Sequence, residues 1–290
     1  KSTYLYQHVI EESEKYPRKN FIVLGPEQFT MQTQKDLVSM HPRHGIMNID
    51  VLSFARLAYR VFEETGTKQM QVLDDEGKNL ILRKIAGDYE NKLTVLKGNI
   101  KKLGYISEVK SVISEFTQYD IGEEEIDEML DHLDEDSRLY YKLKDIRLLY
   151  EGFQDYLRER YITKEELLDV LNSQVKESEL LKNSVVVLDG FTGFTPVQNR
   201  LILELMRCCK EVWVTVTMDE RENPYAYKHP YQLFGLSKQM VTTLVRMAGE
   251  DHIEVEEPVC LYGYPVKRFE KNQELAFLER NIFRYGSGRY

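Results

Sequence analysis

Short apolar runs alternate with amphipathic stretches toward both ends of the chain, while the middle is amphipathic throughout. Phe21-Ile22-Val23-Leu24, closed by Gly25-Pro26, predicts a buried parallel strand. Ile46 to Leu52 predicts a second strand. Phe54, Leu57, Ala58, Val61 and Phe62 follow at helical spacing, behind Ser53 as an N-cap. Val185 to Leu188 predicts a third strand, ending in Asp189-Gly190, and Val197 to Cys209 a helix. Val212 to Val216 predicts a fourth strand, which makes Trp213 a core residue. Alternation of this kind implies a parallel sheet with helices on its faces.

The middle carries no comparable strand pattern. Leu80, Ile81, Ile85 and Ala86 repeat at helical spacing, as do apolar positions in Ile106 to Phe116 and Ile126 to Leu133. Leu143, Ile146, Leu149, Tyr150, Phe153 and Leu157 form one stripe within Leu139 to Tyr161, and Glu165 to Leu171 is another helix. The tyrosines of the long stretch fit helix packing better than base stacking. An all-helical insert over 71–183 is therefore expected to interrupt an α/β domain made of 1–70 and 184–290. Beyond Met218, two Pro-containing loops precede a helix from Leu233 to Met247, a strand from Ile253 to Val255 and a closing helix from Glu274 to Phe283. Gly286-Ser287-Gly288 reads as a frayed tail.

Charge follows the same division. The 290 residues carry a formal net charge of -9, but 1–70 sum to +1, 71–183 to -9 and 184–290 to -1. The acidic excess lies wholly in the middle, where Asp120 to Asp136 holds ten carboxylates and no Lys or Arg. Such a run reads first as a solvated helical face. Overall charge argues against nucleic acid, yet the two α/β segments together are neutral. No apolar run approaches a membrane span, and no signal peptide is evident. Three cysteines without C-x-x-C spacing exclude a disulfide scaffold and fit a reducing cytoplasm. Six histidines show no metal spacing, and His41 and His44, flanking Pro-Arg, are expected to face solvent.

The chain opens Lys1-Ser2-Thr3 without an initiator Met, and reads as part of a longer protein. Lys followed by Ser at the mouth of a helix is how a P-loop ends, with Lys on the β/γ-phosphates and Ser on Mg²⁺. An arbitrary start of the sequence at that point is the other reading. A P-loop calls for an apolar strand ending in a Mg²⁺-binding Asp, which Val185 to Asp189 supplies. Asp-Gly is also a common turn pair.

The block Leu188-Asp189-Gly190-Phe191-Thr192-Gly193-Phe194-Thr195-Pro196-Val197-Gln198 resembles the Walker B block of UvrD-type superfamily 1 helicases. Its D-G-F-x-x-F-T-P form is similar to that of the AddB family, whose members are subunits of the ATP-dependent helicase/deoxyribonuclease. Gly25-Pro26-Glu27-Gln28-Phe29-Thr30, Ser53-Phe54-Ala55-Arg56-Leu57-Ala58-Tyr59-Arg60-Val61 and Glu274-Leu275-Ala276-Phe277-Leu278-Glu279 resemble three further blocks of that family, in order. The helical insert also falls where this helicase class carries one.

The resemblance implies a P-loop NTPase (RecA-like) fold and a role in processing double-strand DNA ends for recombination, in a heterodimer with an AddA-type subunit. It implies ATP with Mg²⁺ at Lys1, Ser2 and Asp189, and DNA contacts at Gln28, Thr30, Ser53, Phe54 and Arg56. Gly190, Phe191, Thr195, Pro196 and Gln198 complete the motif. An iron–sulfur cluster and a nuclease Mg²⁺ are expected only in a C-terminal region outside this chain. Related motors carry Glu and Gln where Gly190 and Thr192 stand, so ATP is expected to bind and to be hydrolysed poorly. Phe54 also suits core packing, and Arg56 a surface ion pair. A nucleotide-kinase-like phosphotransferase with a helical lid, or a non-catalytic interaction module docking through its acidic helices, are the alternatives. Only five Arg in 71–183 weigh against a lid.

Overall fold

The structure, a computed structural model, describes residues 1–67, 71–100, 102–158, 161–219, 222–261, 263 and 267–282. The chain runs α1 (Ser2–Lys15), β1 (Asn20–Leu24), α2 (Thr30–Met40), β2 (Ile49–Leu52) and α3 (Phe54–Thr65). Then come β3 (Gln71–Leu73), α4 (Asp75–Asp88), α5 (Leu103–Gln118), α6 (Glu123–Asp131), α7 (Arg138–Leu157) and β4 (Tyr161–Thr163). It closes with α8 (Glu166–Gln174), α9 (Glu179–Lys182), β5 (Ser184–Leu188), α10 (Pro196–Cys208), β6 (Glu211–Val214), α11 (Gly235–Glu250) and α12 (Gln273–Asn281).

Four strands pair in the order β2-β1-β5-β6, all parallel. After their first residues, Asn20 and Ser184, the two central strands are apolar because both of their faces are covered. On one face Leu5, Val9 and Ile10 of α1 and Leu37 of α2 pack against Phe21, Val23, Val185 and Val187. On the other, Leu57 and Val61 of α3, Leu201 and Leu205 of α10 and Leu244 of α11 pack against Ile22, Leu24, Val186 and Leu188. Local chemistry sets the ends of α3. Ser53 caps its first turn through the Arg56 N–H, and Gly66 ends it at φ +67°, a left-handed conformation that suits glycine.

A separate apolar core joins α4, α5, α6 and α7, with Leu82, Ile126, Leu149 and Phe153 at its centre. Buried Asp145 of α7 accepts the Thr94 and Leu96 N–H groups, tying the irregular stretch after α4 to the bundle. This middle segment is not all-helical: β3 and β4 form a two-stranded parallel sheet. Three residues per strand are too few to show a period of two. α8 packs against α3 and α10, so Leu167 and Leu171 belong to the core of the α/β layer. The expected boundary after residue 70 falls at 68–70, outside the described residues.

Other departures are local. Ile253 to Val255 forms no strand; Val255 is exposed, and no described strand lies alongside to complete a ladder. His41 is buried, not solvent-facing, because its Nδ1 accepts the Arg43 N–H at 3.1 Å. His44 is exposed. β2 begins at Ile49 and β6 spans Glu211–Val214, each shorter than the apolar pattern. Trp213 is half-buried on the sheet and stacks on His8 with ring centroids 4.9 Å apart. Phe283 and Gly286-Ser287-Gly288 lie outside the described residues.

Candidate functional site

The sheet ends in a row of four positions. Leu24, Leu52, Leu188 and Val214 lie in register, so Gly25, Ser53, Asp189 and Thr215 follow at the carboxyl edge of four neighbouring strands. Backbone hydrogen bonds extend the ladder one step further: Gly25 N–H to Leu52 O, Asp189 N–H to Leu24 O, and Thr215 N–H to Leu188 O. Open parallel sheets bind ligands at this edge. The N-terminus of α1 reaches the same edge, since Lys1 and Ser2 contact Asp189. Lys1, the N-cap, puts no side-chain acceptor on the first-turn N–H groups.

Asp189 is 8% exposed and meets three hydroxyl donors and one ammonium. Thr215 Oγ1 donates to Oδ1 at 2.5 Å, and Lys1 Nζ lies 3.5 Å from the same oxygen. Ser2 Oγ and Tyr6 OH donate to Oδ2 at 3.0 and 3.1 Å. Burial disfavours the charged carboxylate, but the Thr215 bond, the Lys1 charge and the Ser2 and Tyr6 bonds outweigh it, holding Asp189 below its ordinary range. Burial pushes the Tyr6 phenol up, so it remains a neutral donor. Neither Tyr6 nor Thr215 stood out in the sequence. A tyrosine on the apolar stripe of α1 reads as core, and a threonine at a strand end reads as strand composition.

Gly190 follows with φ +86°, a conformation that L side chains rarely adopt. A Cβ there would meet Pro26 Cδ at 3.4 Å. Phe191 packs between Phe54 and Phe194, at centroid distances of 5.6 and 5.0 Å. Thr195, Pro196 and Gln198 build the start of α10. The Thr195 hydroxyl accepts the Gln198 N–H, the Gln198 side chain accepts the Thr195 N–H, and Pro196 fills the first turn. That is a capping box, so this part of the motif has a local structural cause.

The remaining positions separate by exposure. Thr30 is buried and donates to Glu27 O at 3.0 Å, while Ser53 is buried as the cap of α3. Phe54 is 8% exposed and belongs to the core. Gln28 and Arg56 are exposed, and Arg56 makes no ion pair among the described residues. Phe29, beside Gln28, is 55% exposed, an aromatic left in solvent that sequence periodicity did not single out.

A family model described as ADDB, N-terminal, matches residues 1–279. The chain belongs to this family. It is 45% identical over 292 residues to AddB, a subunit of the ATP-dependent helicase/deoxyribonuclease, from Lachnoclostridium phytofermentans, covering 98% of this chain and 25% of that protein. It is 34% identical over 277 residues to the protein of the same name from Caldanaerobacter subterraneus subsp. tengcongensis, covering 96% and 23%. For that of Clostridium kluyveri the figures are 33% over 290 residues, 100% and 25%. The chain thus spans about a quarter of the length of these AddB relatives.

Cys208 and Cys209 are adjacent, Cys260 is exposed and apart, and all three are free thiols. Among the described residues no group of three or more His, Cys, Asp or Glu could hold a metal ion. No described helix is long and apolar enough to cross a membrane.

Proposed function

We propose that the chain is the nucleotide-binding and DNA-contacting N-terminal part of a helicase/deoxyribonuclease subunit that processes double-strand DNA ends with an AddA-type partner. The observation that carries this reading is the meeting of Lys1, Ser2 and Asp189 at the carboxyl edge of a parallel sheet, where α1 begins. Free N–H groups and the helix dipole favour phosphate there. The family membership favours this reading over a phosphotransferase with a helical lid or an interaction module.

The residues present fit Mg²⁺ bound with ATP. Adjacent ligands of an octahedral Mg²⁺ with bonds of about 2.1 Å stand roughly 3 Å apart. Ser2 Oγ and Asp189 Oδ2 stand 3.0 Å apart. When bound, Mg²⁺ neutralises phosphate charge. Lys1 binds the phosphates, while Thr215 and Tyr6 orient the Asp189 carboxylate. Gly190 has no side chain, so position 190 offers no group to take the proton of an attacking water. A missing general base lowers rate by about 10²–10⁴-fold. The site is a binding site with slow turnover.

For DNA, we assign the direct contacts to exposed Gln28, Phe29 and Arg56, and supporting roles to Thr30, Ser53 and Phe54. Arg56 suits a phosphate and Phe29 a stacked base of single-stranded DNA. The iron–sulfur cluster and nuclease Mg²⁺ of the complete enzyme belong, on this reading, to parts of the relatives that this chain does not span.

Two assays on the full-length protein test the reading. Without its partner it should hydrolyse ATP far more slowly than active helicases do; helicase-like turnover contradicts the slow-site assignment. In the complex, Arg56→Ala should weaken single-stranded DNA binding and lower the salt slope by about 1. An unchanged slope removes Arg56 from the interface.

A further inference from the structure

Tyr6 lies one helical turn beyond Ser2 on α1 and is 6% exposed. Residues four apart share a helix face, so its ring reaches the same carboxylate as the Ser2 hydroxyl. Its hydroxyl stands 3.1 Å from Asp189 Oδ2 and 3.2 Å from Thr33 Oγ1 of α2. A phenol has one hydrogen. The charged carboxylate takes it, so the Thr33 hydroxyl donates to the Tyr6 oxygen.

A carboxylate offers about four lone-pair sites. Asp189 already meets three hydroxyl donors, Thr215 on Oδ1 and Ser2 and Tyr6 on Oδ2, with the Lys1 ammonium paired to Oδ1. A cation held by Ser2 and Asp189 draws electron density from Oδ2 and repels the hydrogen end of the phenol. The remaining partner of the Tyr6 hydroxyl is Thr33 Oγ1. Once Thr33 accepts, its own hydrogen needs an acceptor. On a helix that is the carbonyl one turn back, that of Phe29 at the N-cap of α2.

We propose that Tyr6 is a positioning residue that couples cation occupancy at Ser2 and Asp189 to the first turn of α2, and so to Gln28 and Phe29, by reversing the Tyr6–Thr33 hydrogen bond. The inference rests on the nucleotide reading given under Proposed function. It gives the buried tyrosine a task that packing does not require, since phenylalanine would fill the same space.

The test uses the full-length protein with its partner subunit and a non-hydrolysable ATP analogue. Binding is followed by polarisation of a labelled analogue, and backbone hydrogen exchange is followed over residues 26–40. In the wild type, the analogue with Mg²⁺ should alter exchange in the first turn of α2, and the analogue without Mg²⁺ should not. Tyr6→Phe keeps the ring, and Thr33→Val keeps the Tyr6–Asp189 bond. Thr33→Val removes one neutral hydrogen bond and should bind the analogue within about fivefold of wild type. Tyr6→Phe also removes a donor to the Asp189 carboxylate and should bind it more weakly but measurably. At saturating analogue both should lose the exchange response. A response that survives in either variant, or that appears without Mg²⁺, overturns the coupling. Wild-type binding with no exchange response overturns the coupling alone. No wild-type binding overturns both the coupling and the nucleotide reading.

Discussion

The Ser2 hydroxyl donates to the Asp189 carboxylate at 3.0 Å across a separation of 187 residues. This contact joins the start of α1 to the end of β5, on a carboxylate that Thr215 and Tyr6 also hold. Asp189 lies below its ordinary value of 3.8. A lowered carboxylate stabilises the fold above that ordinary value, and the contribution is lost as pH falls through the lowered one. Asp189→Asn should cost about 2 kcal/mol near neutral pH, because buried hydroxyl donors lose a charged acceptor. Urea unfolding from neutral pH down to the carboxylate range should show the wild-type advantage shrinking with acid. A constant difference across that range contradicts the assignment.

If turnover is slow because position 190 lacks a base, the backbone there predicts that one substitution will not restore it. At φ +86° and with Pro26 Cδ facing a would-be Cβ at 3.4 Å, a side chain is strained. Gly190→Ala should destabilise by about 1–2 kcal/mol in a denaturant titration. Gly190→Glu should leave ATP hydrolysis at the wild-type level, although it supplies a carboxylate.

Thr195 and Gln198 lie in the block that resembles a helicase motif, yet both side chains are occupied in capping α10. Thr195→Ala should lower stability by about 1 kcal/mol, the usual worth of an N-cap. DNA affinity of the complex should stay unchanged. A loss of DNA binding without loss of stability would place these residues at the interface instead.

Lys78 and Glu165 form a buried ion pair at 2.7 Å, with side chains 3% and 11% exposed. The pair ties α4 to the turn before α8. Burial works against the charged Glu165, but Lys78 more than compensates and holds it below the ordinary carboxylate range. Lys78→Ala should cost about 3 kcal/mol, since it strands a buried charge. Replacing both residues with apolar ones should recover much of that loss, measured by thermal unfolding.

The α/β frame was legible because its signals are local. Phe21 to Leu24 and Val185 to Leu188 are uninterrupted apolar runs, and Ser53 and Gly66 bracket one helix. The contact of Lys1 and Ser2 with Asp189 is one that a P-loop reading of the sequence expects at that strand end, whatever the three residues bind. β3 and β4 were not, because three residues show no period. Tyr6 and Thr215 were hidden for a different reason: their roles depend on contacts across 183 and 26 residues. Phe54 suits both a DNA contact and core packing by its spacing, and its burial against Phe191 follows the second, while Phe29, to which the pattern assigns no role, is the exposed aromatic.

Ser2 and Asp189 are proposed to hold a metal–nucleotide together. The direct measurement is equilibrium binding of fluorescent ATP to the full-length protein, with and without Mg²⁺, in the wild type and in Ser2→Ala. Mg²⁺ should tighten wild-type binding by about tenfold or more, which is 1.4 kcal/mol or above, and should have little effect on Ser2→Ala. Absence of nucleotide binding, or an equal response to Mg²⁺ in both proteins, would contradict it.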